Sequence, residues 1–262
     1  MQNQQLTVIN KTVQADAWIS LRIYTAARIA LGRTGISIPL KASLNFKMAH
    51  ANARDAIYAA LEKDKLVDAL KTFPLHVYVL QTIAQNRHTY LQRPDYGRRL
   101  NEKSAQELRD FKSDDYDVSI TIADGLSSTA VNRHAANVLL FLMPMLQTKY
   151  SISPFCIVEQ GRVAVSDETG YLLKAKLSLI LIGERPGLTS FDSLGAYITF
   201  KPTIGLTDEK RNCISNIRTD GLSYQNAANK IFYIVSEALR LQISGIDLKD
   251  NMSLIKIEST NK

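Results

Sequence analysis

Leu177-Ser-Leu-Ile-Leu-Ile182, running straight into Gly183-Glu184-Arg185-Pro186-Gly187, and Val118-Ser-Ile-Thr-Ile-Ala123, running into Asp124-Gly125-Leu126-Ser127-Ser128, decide the fold. Each is a short apolar run of strand length closed abruptly by polar turn residues. In an open parallel sheet the carboxyl ends of neighbouring strands line one crevice, so turns of this kind are where a ligand sits. Function is therefore expected at these two turns and their neighbours.

Working outward, strand-like runs alternate with segments of helical period. Leu75 to Leu80 and Phe155 to Glu159 read as strands, as does Tyr197 to Phe200. Between them, Ser104 to Lys112 and Asp167 to Lys174 read as helices. A long helix starts at Ser127 or Ser128, either of which can cap its exposed amides, and Pro144 lies in its last turns. The last helix, Ser223 to Gln242, carries Ala227, Ile231, Ile234, Val235, Ala238 and Leu239 on one face. Such alternation predicts an α/β fold: a Rossmann-like, three-layer, mostly parallel sheet with right-handed crossovers.

Ahead of it, a helical N-terminal layer is expected, with one helix over Asp16 to Leu31 stopped by Gly32 and a second over Leu44 to Lys71 ended by Phe73-Pro74. The predicted organisation is a helical region over 1–73 packing on the main domain, a Rossmann-like domain over 74–250, and a polar tail over 251–262.

With hydrophobic residues at 45% and charged residues at 22%, the composition excludes disorder and a disulfide scaffold. Cys156 and Cys213 are too far apart to read as a framework, which points to reduced thiols and a cytoplasmic location. Met1-Gln-Asn-Gln-Gln-Leu-Thr-Val has no basic and apolar succession of a secretory signal, and the most apolar stretch, Ala135 to Leu146, is too short to span a membrane. A net charge of +7 admits an anionic partner. Basic residues are not clustered and no aromatic-rich basic strand appears, so nucleic acid is not the expected partner.

No G-x-G-x-x-G follows a strand and no G-x-x-x-x-G-K-[ST] occurs, so a dinucleotide site or P-loop lacks its glycine turn. His50, His76, His88 and His134 lie far apart, and no zinc spacing is present. Ser127 lacks a nucleophile elbow, and capping accounts for it. Asp124 stands at the crevice where an acceptor would meet a ligand amide or hydroxyl. Glu184, aimed by Gly183 and stiffened by Pro186, is the stronger candidate; its alternative reading is an exposed ion pair with Arg185, worth little. Arg211-Asn-Cys-Ile-Ser-Asn-Ile-Arg218 has no periodicity and reads as a loop, with Cys213 either filling a gap or reactive.

Several of these stretches occur together in one known family. Tyr90-Leu-Gln-Arg-Pro-Asp-Tyr-Gly-Arg-Arg-Leu100, Ala123-Asp-Gly-Leu-Ser127, Gln160-Gly-Arg-Val163, Ile182-Gly-Glu-Arg-Pro-Gly-Leu188, Asp192-Ser-Leu194 and Asn212-Cys-Ile-Ser-Asn-Ile217 resemble the small (light) subunits of ethanolamine ammonia-lyase. Leu21-Arg-Ile-Tyr-Thr-Ala-Ala-Arg28 with Gly32-Arg-Thr-Gly35 is similar too, so the match runs in order from about residue 17 to residue 248.

The resemblance implies an adenosylcobalamin-dependent lyase that converts ethanolamine to acetaldehyde and ammonia. It places the substrate site in a separate large (heavy) subunit, with this chain as half of a cofactor clamp in a hetero-oligomer. Carried over by motif, the corrinoid contacts fall on Val163, Glu184 and Cys213. A carboxylate there can accept from the amides of the corrin rim. Because the Asp-x-His-x-x-Gly pattern is missing, adenosylcobalamin is expected base-on, keeping its own benzimidazole on cobalt. The resemblance also brings packaging in a bacterial microcompartment as an alternative to the open cytoplasm. A stand-alone Rossmann-like enzyme using a nucleotide is the second reading of the chain.

Overall fold

The computed structural model describes residues 12–112 and 115–252, and these fall into two compact units. One comprises residues 12–53 with Gly187–Thr189; the other takes the rest. The boundary falls inside the first α-helix, α1 (Leu40–Tyr58).

The first unit departs from expectation. Only one 3-10 turn, Ile19–Ile23, forms within the helix predicted over Asp16 to Leu31. The apolar residues recur at helical spacing but remain exposed, Trp18 by 68% and Tyr24 by 81%, so no buried face supports a helix. Ala30 is left-handed, and beyond it Gln14 and Arg33 exchange backbone hydrogen bonds in an isolated bridge. Gly32 closes that bridge with φ +77°, and a Cβ on it would stand 2.5 Å from the Gln14 carbonyl.

The helix predicted over Leu44 to Lys71 is two helices, α1 and α2 (Lys63–Leu70). The break is held from a distance: Asn132 Oδ1 accepts from the Glu62 amide at 3.0 Å, and Asn132 Nδ2 donates to the Ala60 carbonyl at 3.0 Å. Those bonds satisfy backbone groups that a helix end leaves unpaired.

The second unit continues with β1 (Val77–Gln81), α3 (Arg87–Gln92), α4 (Glu102–Asp110), β2 (Tyr116–Ala123), α5 (Ser128–Gln147), β3 (Ile152–Glu159), α6 (Val165–Leu172), β4 (Ala175–Gly183), β5 (Leu194–Phe200), β6 (Arg211–Ile217) and α7 (Tyr224–Leu241). They form an α/β fold around a six-stranded sheet of order β1-β3-β2-β4-β5-β6. The sheet is mixed. β1, β3, β2 and β4 pair parallel, whereas β4–β5 and β5–β6 pair antiparallel, because β5 follows β4 through a short return instead of a helical crossover.

Side chains alternate across the sheet and feed two cores. Val118, Ile120, Ile122, Leu177, Leu179 and Leu181 pack with α2, α5 and α7 on one face. Ala123, Cys156, Val158, Ile180 and Ile182 pack with α4 and α6 on the other. Helices cover both faces, so β2 from Val118 onward and β4 from Leu177 onward are buried throughout and mostly apolar.

The stretch Arg211 to Ile217, predicted as a loop, is the edge strand β6. An edge strand is covered less than a central one: within it Arg211, Ile214 and Ile217 are buried and the other positions stay polar, which removes the apolar run by which a strand is recognised. The predicted polar tail lies mostly outside the described residues. Among the described residues no helix is long and apolar enough to cross a membrane.

Candidate functional site

The carboxyl ends of β3, β2 and β4 lie side by side, which brings three loops together. The turn after β2 passes through Gly125, at φ +57°, into α5. Ser127 caps that helix, accepting from the Ala130 amide at 3.2 Å, and donates its hydroxyl to the Phe191 carbonyl at 2.9 Å. The helix-capping reading of Ser127 thus holds. The turn after β4 is tied to it, since the Leu126 amide donates to the Gly183 carbonyl at 2.9 Å.

Asp124 does not meet a ligand as the sequence suggested. It is buried, and its two oxygens accept from the Gln160 amide at 3.0 Å and the Gly161 amide at 2.9 Å. The carboxylate thereby pins the loop that joins β3 to α6. Arg87 Nη1 stands 3.6 Å away and donates to the Gly125 carbonyl at 2.8 Å.

Burial pushes the Asp124 carboxyl up to about 6, against the pull of Arg87 and the amides of Gln160, Gly161 and Gly125. A carboxyl raised on folding stabilises most below its unfolded value, 3.8, and that contribution is lost as pH rises through about 6. Asp124→Asn removes the titration. The stability of wild type relative to Asp124→Asn is therefore expected to fall between pH 4 and 6.5 by roughly 2–3 kcal/mol, measured by urea unfolding. A difference that stays flat with pH would contradict this.

A cleft of about 480 Å³ opens over these loops, walled by Tyr90, Arg162, Val163, Glu184, Arg185 and Tyr197 among others. Val163 enters it from the β3–α6 loop. Glu184 enters from the end of β4, and its carboxylate is oriented by its own sheet edge. Its Oε2 accepts from the Ser193 hydroxyl at 2.5 Å and from the Asn216 amide at 3.2 Å. Gly195 leaves room for it, since a Cβ there would stand 3.1 Å from Glu184 Cγ and Oε1. Glu184 Oε1 has no hydrogen-bond partner among the described residues, so one acceptor is held in place and unspent at the cleft. The alternative reading of Glu184, an ion pair with Arg185, is not what forms.

Cys213 lies on β6 directly opposite Tyr197 of β5, so it reaches the cleft's edge through that neighbour. It is exposed, yet desolvation by the surrounding sheet raises its thiol above the ordinary value; the Glu184 charge acts in the same direction, against a hydrogen bond with Tyr197. A raised thiol stays protonated at neutral pH and is a poor nucleophile. The three residues singled out in the sequence thus meet in space: Val163 and Glu184 on one cleft, and Cys213 on the adjoining strand.

Sequence reasoning missed the residues that support them. Tyr90, fully buried, donates its hydroxyl to the Gly161 carbonyl at 3.1 Å, and the guanidinium groups of Arg87 and Arg162 stack on its ring at 4.7 and 4.2 Å. Ser193 and Asn216 orient Glu184. No short-range signal marks such a group, although Tyr90, Arg162, Ser193 and Asn216 all lie inside the recurring stretches. Among the described residues no cluster of side chains is arranged to hold a metal ion.

A model of the ethanolamine ammonia-lyase light chain (EutC) family matches residues 15–249, nearly the whole chain. The chain belongs to the ethanolamine ammonia-lyase light-chain family. The ethanolamine ammonia-lyase small subunit of Pseudomonas fluorescens is 49% identical over 252 residues, which cover 95% of this chain and 92% of that protein. The small subunit of Azotobacter vinelandii is 50% identical over 247 residues, covering 93% and 92%. That of Pseudomonas aeruginosa is 52% identical over 239 residues, covering 90% and 88%. A light chain of this family is a lyase subunit, which sets aside the reading of a stand-alone nucleotide-dependent enzyme.

Proposed function

We propose that this chain, the small subunit of ethanolamine ammonia-lyase, holds adenosylcobalamin in the cleft of Val163 and Glu184 and presents it to the large subunit. The observation that carries the reading is the convergence of three loops, separate in sequence, on one edge: Val163 and Glu184 share the cleft, and Cys213 pairs across the sheet with Tyr197 on its wall. We read the parallel half of the sheet, with helices on both faces, as Rossmann-like, and its carboxyl edge is where such sheets bind ligands.

The donor set fits a corrinoid, whose rim carries primary amides. An amide N–H needs an acceptor, and Glu184 Oε1 is one; Ser193 and Asn216 fix the carboxylate through its other oxygen, so little rotamer freedom is lost on binding. Cys213, with a protonated thiol, offers a small polarizable surface. When bound, the cofactor would supply radical chemistry, in which a hydrogen is removed from ethanolamine and later returned as the substrate is converted to acetaldehyde and ammonia. This chain contributes no group to that step; it binds and orients. Among the described residues no histidine walls the cleft, which suits a cofactor that would bring its own base. We place the assembly in the cytoplasm, with a microcompartment as the alternative site.

Co-expression with the large subunit tests the reading. Acetaldehyde is expected from ethanolamine only when both chains and adenosylcobalamin are present, and not from this chain alone. Absence of turnover in every combination would contradict it.

A further inference from the structure

The cleft holds a cation that no carboxylate among the described residues pairs with. Of the two guanidinium groups stacked on Tyr90, Arg87 has the Asp124 carboxylate at 3.6 Å and donates to the carbonyls of Gly125 and Ile57. Arg162, on the cleft wall, has no carboxylate within ion-pair distance among the described residues. Its Nη2 donates to the Tyr90 carbonyl at 3.3 Å, and its Nε is buried with no partner. Glu184, on the same cleft, spends one oxygen on Ser193 and Asn216 instead.

A buried, unpaired donor on a charged group is costly, so a guanidinium kept in this state by ring stacking is set up for a partner from outside. Its planar fork matches the oxygens of a phosphate or carboxylate. Arg185, exposed at the same cleft, adds a second positive charge and not an intramolecular anion.

We propose that Arg162 binds the anionic phosphodiester of the cofactor's nucleotide loop, the one group of a base-on cobalamin that carries a negative charge outside the corrin. This rests on the cofactor reading above and assigns the corrinoid an orientation, with its nucleotide loop toward the Gln160–Val163 segment. The carboxylate of Glu184 then selects amides and the guanidinium of Arg162 selects phosphate, which sorts cobalamin from corrinoids that lack the loop.

The test is an absorbance titration of the assembled two-subunit complex with cyanocobalamin and with dicyanocobinamide, which has the corrin but no phosphate. Arg162→Gln is expected to weaken cyanocobalamin by about tenfold or more and to leave cobinamide within about twofold. Equal weakening of both, or of neither, overturns the assignment. Should Arg162→Gln fail to assemble, the wild-type complex decides. Cobalamin affinity must fall more steeply with salt than cobinamide affinity, and equal slopes overturn the proposal. If the wild-type complex binds neither corrinoid, the cofactor reading itself fails, an outcome distinct from both.

Discussion

Gly183→Ala is expected to leave little folded protein. Gly183 is the last residue of β4, pressed backbone to backbone against the turn after β2. A Cβ on it would fall inside contact distance of the carbonyl oxygens of Ser127 and Asp124, which are main-chain atoms and cannot rotate away. Gly125 meets the same constraint from the other side, since its Cβ would strike the Gly183 carbonyl and the Ile182 side chain. Relief requires separating the two loops, which breaks the Leu126 to Gly183 hydrogen bond and shifts the first turn of α5. The cost is expected to be about 4 kcal/mol or more, out of a total stability of roughly 5–15 kcal/mol. Thermal melting should show a fall of about 10 °C or more, with loss of soluble yield. A melting temperature within 3 °C of wild type would show that the loops can part cheaply.

The second large effect is expected at Arg211. Its side chain is 2% exposed and its Nη1 donates to Asp167 Oδ1 at 2.7 Å, with Asp167 itself 1% exposed. The guanidinium also donates to Thr199 Oγ1 and to the Leu206 carbonyl, linking β6, β5 and the loop between them to α6. Asp167 Oδ2 has no partner. Arg211→Met keeps the length and removes the charge, leaving a buried carboxylate unpaired, at an expected cost of about 3–5 kcal/mol. Arg211→Met combined with Asp167→Leu removes both charges and is expected to recover more than half of that loss.

The pH dependence follows from the same pair. Burial already raises the Asp167 carboxyl above 3.8, and loss of Arg211 raises it further. The carboxyl's stabilising contribution is then full below 3.8 and is lost as pH rises through the raised value. The deficit of Arg211→Met relative to wild type should therefore shrink toward pH 4. A deficit that is independent of pH, or a double variant no better than the single, would contradict a coupled buried pair.

What the sequence disclosed follows from what is local. β2 and β4 are buried on both faces, so their apolar runs announce them, and Ser127 caps a helix by a rule that spans three residues. β6 was hidden because an edge strand with Asn212, Ser215 and Asn216 among its residues carries only half of an apolar pattern. The helix expected over Asp16 to Leu31 failed because periodicity does not reveal whether a face has a partner; Trp18, Ile23 and Tyr24 are exposed. The break between α1 and α2 depends on Asn132, 70 residues beyond Glu62, and no window along the chain contains it.

The site divides in the same way. Val163, Glu184 and Cys213 come from a family resemblance, while the reading of the residues themselves reaches only Glu184 and Asp124. Asp124 stands where a ligand acceptor would stand, but the β3–α6 loop uses both of its oxygens. The stacking of Arg87 and Arg162 on Tyr90 exists only once the strands are ordered in the sheet.

The central claim is that Glu184 accepts from a bound corrinoid. Its most direct test is equilibrium titration of cyanocobalamin into the complex of this chain with the large subunit, comparing wild type with Glu184→Ala. Glu184→Ala leaves the Ser193 and Asn216 donors unpaired but strands no buried charge, so the chain should still fold and assemble, at a cost of about 1–3 kcal/mol. Wild type is expected to bind, and Glu184→Ala to bind about tenfold or more weakly. Unchanged affinity in Glu184→Ala, or no cobalamin binding by the wild-type complex, would contradict the claim.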